Sequence, residues 1–317
     1  MYFKLLVFTN QERQHLPLAS NPVKMKYFLI IIGLVTLLIM PEVQLAPVIG
    51  PSVKIEQLAG IVRTLPPNIQ HQMLVDSYRN FYPQKLGSHD LPETRARFDA
   101  AVTTAFYSKD QAISLEAASL YDFLDERHVA TERDLHDVVG VLVKSRQFKI
   151  AKDFSKLHGI EPATPPVLDG RGAATNAPAI IRHVGNSLII ESVDQGMLDS
   201  GIVIVASPLC HFTRTASDAI VRDTGLSGDL KDGLWLVPPE SGLHLEEIDE
   251  WNSTHAKQKM AMVYDWLAWS RITDWSTPGF YFFRDKKIVA EIHGWPIDGS
   301  KKEELIAAVK KWKSGPN

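Results

Sequence analysis

Gly201-Ile202-Val203-Ile204-Val205-Ala206-Ser207-Pro208-Leu209-Cys210-His211-Phe212-Thr213 is the stretch whose reading decides the fold. Its first half is an unbroken apolar run bounded by Gly201 and by Ser207-Pro208, the pattern of a central strand buried on both faces. Its second half sets a cysteine at the entrance to a helical stretch that runs through Val221. Cys210 therefore stands where the unpaired N–H groups of a helix start are gathered.

Outward from this stretch, short strands alternate with helices. Ser187 to Glu191 is apolar and extended, and Leu234 to Val237 reads as another strand. Ile248 to Trp269 reads as containing a long helix. Trp275-Ser276-Thr277-Pro278 leads into an aromatic strand, Gly279 to Phe283. A turn at Arg284-Asp285-Lys286 joins it to Lys287 through His293, and Lys301 to Trp312 has the spacing of a closing amphipathic helix.

This order resembles the thioredoxin-like superfamily at three separated places. The first is the buried strand running into a helix-start cysteine, Val203 to Cys210. The second is Thr277-Pro278 ahead of a β-hairpin, where the resemblance implies a cis-proline facing the cysteine. The third is that hairpin with its Gly294-Trp295 exit and terminal helix. The likeness covers about residues 178–315 and leaves the preceding residues outside it. It implies an α/β class for the chain's second half, and fold travels by such analogy more securely than activity.

The chain departs from the family at the redox motif. Where the family carries Cys-x-x-Cys, this sequence has Cys210-His211-Phe212-Thr213. The nucleophile position is filled and the resolving position holds Thr213. Ile204 stands where many members carry a buried acid. With a single cysteine in 317 residues, no intramolecular disulfide can form.

A thiol at a helix N-terminus is biased toward thiolate by partial positive charge and free N–H groups. The expected chemistry is monothiol disulfide exchange, with Cys210 as nucleophile and His211 and Thr213 tuning it. Pro208, Thr277 and Pro278 are expected to shape the substrate groove. Substrates would be protein thiols or disulfides, or glutathione, and no cofactor or metal is called for. The competing reading, from a different class, is a redox-inactive adaptor that uses the same groove and the face of the helical domain to hold a partner of the cell envelope. A third reading notes that peroxiredoxins also place a Ser or Thr three residues before a helix-start cysteine, as Ser207 is here; Val203 replaces the proline expected further upstream. Trp266, Trp269, Trp275 and Trp295 surround the proline loop in sequence, as core or as groove wall.

Ahead of this half, residues 48–160 have helical spacing. Ile55, Leu58, Ile61 and Val62 repeat at three and four, as do Leu120, Phe123 and Leu124. Leu135, Val138, Val139 and Leu142 continue the pattern, and Phe148, Ala151, Phe154 and Leu157 make a last stripe. Proline and glycine punctuate the segment into five or six helices, with Thr131 and Asp134 placed to cap one of them. His71, His89, His128, His136 and His158 are scattered, without metal-ligand spacing. Tyr78, Phe81 and Tyr82 read as core or as a peptide-binding face. The role expected of this all-α domain is structural or partner-binding. Residues 161–177, rich in Pro, Gly and Ala, read as a linker to the 178–317 domain.

The first residues, 1–47, carry an address. Met25-Lys26 opens an apolar run from Tyr27 to Met40, a pattern of signal peptides that is short for crossing ~30 Å of hydrocarbon. The expectation is export, to the periplasm or to an inner-membrane anchor facing it, with Met25 as the working start. Composition agrees with a folded, two-domain chain: 45% hydrophobic, 22% charged, and a net charge of -3 that draws it to no nucleic acid.

Overall fold

The computed structural model describes residues 50–62, 65–83, 90–162, 164–165, 167–169, 177–239 and 243–314. The expected signal or anchor segment and His89 lie outside the described residues. Gly50–Asn317 forms one compact unit.

Its first half is all helix: α1 (Pro51–Val62), α2 (Pro67–Phe81), α3 (Leu91–Ser108), α4 (Gln111–Asp125), α5 (Glu132–Lys144) and α6 (Phe148–Leu157). The punctuation is chemical. α2 and α3 each carry proline in the first turn, where no N–H is needed. Lys109 adopts φ 57 to close α3, and the next residue, Asp110, accepts from the Ile113 N–H to open α4. Thr131 and Asp134 form the expected reciprocal capping box of α5. The apolar stripes meet in one core around Ile55, Phe98, Leu120, Leu124, Val138 and Leu142, and Tyr78 and Tyr82 belong to it as packing residues. Two residues of the expected stripes face outward instead: Ile61 is 56% exposed and Leu157 75%. Each stands near a helix end, where fewer neighbours reach the side chain.

The second half is built on an eight-stranded sheet in the order β1-β3-β2-β6-β5-β4-β7-β8. The strands are β1 (Val167–Asp169), β2 (Ala179–Val184), β3 (Ser187–Ser192), β4 (Ile202–Val205), β5 (Leu234–Val237), β6 (Met260–Val263), β7 (Gly279–Arg284) and β8 (Lys287–His293). β4, β5 and β6 run parallel, and β7 and β8 return antiparallel as a hairpin. Asp285 and Lys286, both at positive φ, make its two-residue turn. The helices are α7 (Gln195–Ser200), α8 (His211–Arg222), α9 (Thr224–Leu230), α10 (Leu245–Thr254) and α11 (Lys302–Ser314), with a 3-10 turn at Trp266–Trp269.

The period of two decides which side chain goes where. Ile202, Ile204, Phe280 and Phe282 fall in the core on one face, and Val203, Val205, Tyr281 and Phe283 in the core on the other. A sheet covered on both faces explains why β4 reads as continuous apolar sequence. All four tryptophans near the proline loop are buried, Trp266, Trp269 and Trp275 on one face and Trp295 on the other. They pack the core, and Trp266 also borders a cavity between the helical half and the sheet half.

The long helix expected within 248–269 is corrected. α10 ends at Thr254, and Met260–Val263 is a fully buried strand between β5 and β2. Four apolar residues carry no period of their own, so only pairing on both edges distinguishes strand from helix there. The stretch read as a linker also contains order, since Val167–Asp169 pairs parallel with β3. β2, which the sequence reading left out, joins β3 and β6.

One glycine is sterically required at the entrance to β4. A Cβ on Gly201 would lie 2.5 Å from the Met197 carbonyl oxygen and 2.9 Å from its Cα, so α7 would have to lift off the strand. Gly201→Ala is expected to cost about 1–3 kcal/mol of stability, the range for overpacking, read from denaturant midpoints at unchanged m-value.

Candidate functional site

Cys210 is the N-cap residue of α8, with extended backbone (φ -81, ψ 119) and no side-chain cap bond. The turn before it is tight: the Cys210 N–H donates to Ser207 O (3.1 Å) and Leu209 N–H to Ser207 Oγ (3.3 Å). The Ser207 hydroxyl is thereby held to its own turn. Pro208 is buried, and its carbonyl accepts from Arg214 Nε at 3.0 Å, which ties the turn back to the first turn of α8.

Across from this turn, the Thr277–Pro278 bond is cis. Register explains the approach. β4 ends at Val205 opposite Gly279, so the residues just beyond β4 face the residues just before β7. The Cys210 thiol donates to the Thr277 carbonyl at 3.4 Å, and the cysteine is half-buried. Pro278 O is taken by the Gly294 N–H (2.8 Å), which fixes the loop to the end of β8.

Thr213 is fully buried beneath the sulfur, and its hydroxyl accepts from the Ser207 N–H at 3.3 Å. Burial is the largest single influence on the thiol and pushes it up. Hydrogen bonds outweigh that push: the Thr277 side chain first, then the Thr213 backbone and hydroxyl, then the Phe212 backbone. The net result holds Cys210 below the ordinary thiol range. Thr277 acts in both senses, since its carbonyl accepts from the protonated thiol while its side chain favours the thiolate; the combined effect follows the thiolate.

The structure thus gathers Cys210, Thr213, Thr277, Pro278 and Pro208 in one place. His211 stands apart, exposed on the first turn with its ring 5.9 Å from that of Phe212. Ile204 is wholly buried in the core, so no acid lies at that position beneath the site.

Three features escaped the sequence reading. Leu209 and Phe212, on either side of the cysteine, are 51% and 44% exposed and give the sulfur an apolar rim. His293 lies opposite Gly279 in the hairpin, with its Nδ1 3.3 Å from Asp274. Asp274 also accepts, through its backbone carbonyl, from the Tyr281 hydroxyl. Exposed apolar flanks could have been noted from the helix phase of Phe212; the His293–Asp274 pair depends on hairpin register and left no local trace. Among the described residues, no group of three or more His, Cys, Asp or Glu could hold a metal ion.

No protein-family model matches the chain, and no curated protein matches it. A solved structure described as a thioredoxin-like protein from Bacteroides caccae aligns at 13% identity over 84% of this chain and 98% of that chain, with a TM-score of 0.25.

Replacing Thr213 by valine keeps the shape and removes the hydroxyl. The Thr213→Val thiol is expected to titrate higher than wild type. Its alkylation at neutral pH should slow by about 3–10-fold, the worth of one hydrogen bond, read from iodoacetamide rates against pH.

Proposed function

We propose that the chain carries out monothiol disulfide exchange through Cys210, as an exported protein. The observation that carries this reading is the placement of a half-buried sulfur at the start of α8, 3.4 Å from Thr277 O, with a lowered thiol pKa. The Cys210 thiolate attacks one sulfur of a substrate disulfide, forming a mixed disulfide and expelling the other sulfur as a thiolate. An external thiolate, from glutathione or a substrate protein, then attacks the mixed disulfide and leaves with the substrate sulfur. Cys210 is returned as thiolate, so electrons and atoms balance without a second cysteine in the chain. Thr213 can hydrogen-bond the sulfur but cannot displace it.

The apolar rim of Leu209 and Phe212 suits a protein substrate with an apolar residue beside its cysteine. Pairing of an extended segment with the backbone at Thr277 follows the strand-addition mode. The experiment is trapping: the mixed disulfide on Cys210 should form with a disulfide substrate and dissolve on adding glutathione. A thiol that does not exchange at neutral pH overturns the reading.

The adaptor reading draws on the same rim. A surface with exposed Leu209 and Phe212, with Ile204 in place of a buried acid and Thr213 in place of a resolving cysteine, can hold a partner segment with no exchange. Partner retention unchanged by Cys210→Ser would favour it.

A further inference from the structure

At the far end of α8 from Cys210, a cleft of about 510 Å³ opens between the last turns of α8, α9 and the loop after α10. Its volume falls within the ~300–1,000 Å³ of small-molecule sites. Ile220, Val221, Leu230 and Ala256 give it an apolar wall, and His255 and Gln258 bring polar atoms to the same space. Gln258 is the unusual member, only 5% exposed. The Ser217 hydroxyl donates to its Oε1, while its Nε2 has no hydrogen-bond partner among the described residues. An amide nitrogen carries two N–H donors, and leaving them unmade at a buried position is costly unless a ligand or solvent takes them.

Both polar residues are held from behind. The Gln258 N–H donates to His255 O at 2.9 Å, and Trp251 Nε1 donates to Gln258 O at 2.8 Å. The His255 ring lies flat on Trp251, with centroids 3.8 Å apart and planes 6° from parallel. Its Nδ1 stands 3.0 Å from Trp251 O. A carbonyl oxygen only accepts, so Nδ1 carries the proton, and in the neutral ring Nε2 is left as an acceptor. That nitrogen too has no partner among the described residues. The wall therefore offers one donor group and one acceptor. Charge at the rim is mostly paired: Arg222 faces Asp218 at 3.9 Å and Lys231 faces Asp232 at 4.0 Å, with Lys257 exposed beside them. Recognition falls to the neutral groups.

We propose that this cleft binds a small molecule with a cis-amide edge, a carbonyl oxygen beside an N–H, as in a lactam ring or a primary carboxamide. The carbonyl accepts from Gln258 Nε2, and the N–H donates to His255 Nε2. The apolar body packs on Leu230 and on Val221, whose side chain is otherwise 58% exposed. A trans secondary amide turns its two groups to opposite sides, which sets this ligand apart from an ordinary peptide backbone.

The test uses the full chain with uracil and benzamide as probes. Each is set against its methylated form, 1,3-dimethyluracil or N,N-dimethylbenzamide, which keeps the carbonyl and lacks the N–H. Saturable calorimetric binding is expected with at least one parent probe, and binding about 10-fold weaker or less with its methylated form. Uracil alone points to a lactam, benzamide alone to a primary carboxamide. His255→Phe keeps a ring on Trp251 and removes the acceptor, and should weaken binding about 10-fold, the worth of one hydrogen bond. Val221→Glu sets a charge on the exposed wall and should weaken binding at least as much, with an unshifted melt. These are preferred to Gln258→Leu, which also strips the Ser217 hydroxyl of its acceptor. No saturable binding of either parent, equal binding of the methylated forms, or binding unchanged in both variants overturns the proposal.

Discussion

Cys210→Ser is expected to lower disulfide exchange to the uncatalysed background, a loss of about three orders of magnitude or more, while leaving the fold intact. A serine alkoxide is inaccessible at neutral pH, and a hydroxyl does not enter thiol–disulfide exchange. The chain has one cysteine, so no neighbour can take over. The measurement is glutathione-dependent reduction of a protein mixed disulfide, with circular dichroism melts as the control for folding. Retained activity in Cys210→Ser would show that the chemistry resides elsewhere.

The same pair of proteins reports the thiol's titration through stability. The folded thiol titrates below the unfolded one, since hydrogen bonds from Thr277, Thr213 and Phe212 outweigh burial. Its stabilising contribution is then fully present above the unfolded value of about 8.5 and is lost as pH falls through the lower folded value. The stability difference between wild type and Cys210→Ser should therefore widen in favour of wild type from neutral pH toward pH 9. A difference flat across that window would mean that the hydrogen bonds around the sulfur do not favour the thiolate.

The second large effect is on the fold itself. Phe280 in β7 is completely buried and packs near Trp295, their ring centroids 6.2 Å apart. Phe280→Ala should cost about 3–5 kcal/mol, the lost transfer free energy plus the cavity left behind. That is a large share of a typical 5–15 kcal/mol total. Urea titration with tryptophan fluorescence measures it, through a lower midpoint at unchanged slope. Phe280 stands two residues after Pro278, so exchange activity should fall with stability. A cost under ~1 kcal/mol would show that this face of the sheet is not the core described here.

Several features were legible because they are local. The capping pair Thr131 and Asp134, the two-residue hairpin turn at Asp285-Lys286, and the stripes of α4, α5 and α6 each arise from residues within a turn or two of one another. The β4–Cys210–α8 unit was legible for the same reason, because an apolar run, a Ser-Pro stop and a helical phase lie in one short stretch. The cis geometry at Thr277–Pro278 followed only from the resemblance, and the bond is cis in the structure. β6 was missed because Met260–Val263 is four apolar residues without alternation, buried against β5 and β2 from distant sequence. Arg146, which donates to Val263 O at 3.0 Å at the end of β6, was missed because a single arginine after a helix reads as a solvated charge.

By itself, the amino-acid sequence determined the strand–cysteine–helix unit at Cys210, the closing hairpin and terminal helix, the helical character of the first half, and the absence of any internal disulfide. Tertiary structure decided which distant backbone meets the sulfur and which side of each strand is core. The physical reason is range: helix phase, caps and turns are set by bonds a few residues long. Strand pairing, burial and pKa depend on groups brought together by closure of the whole sheet.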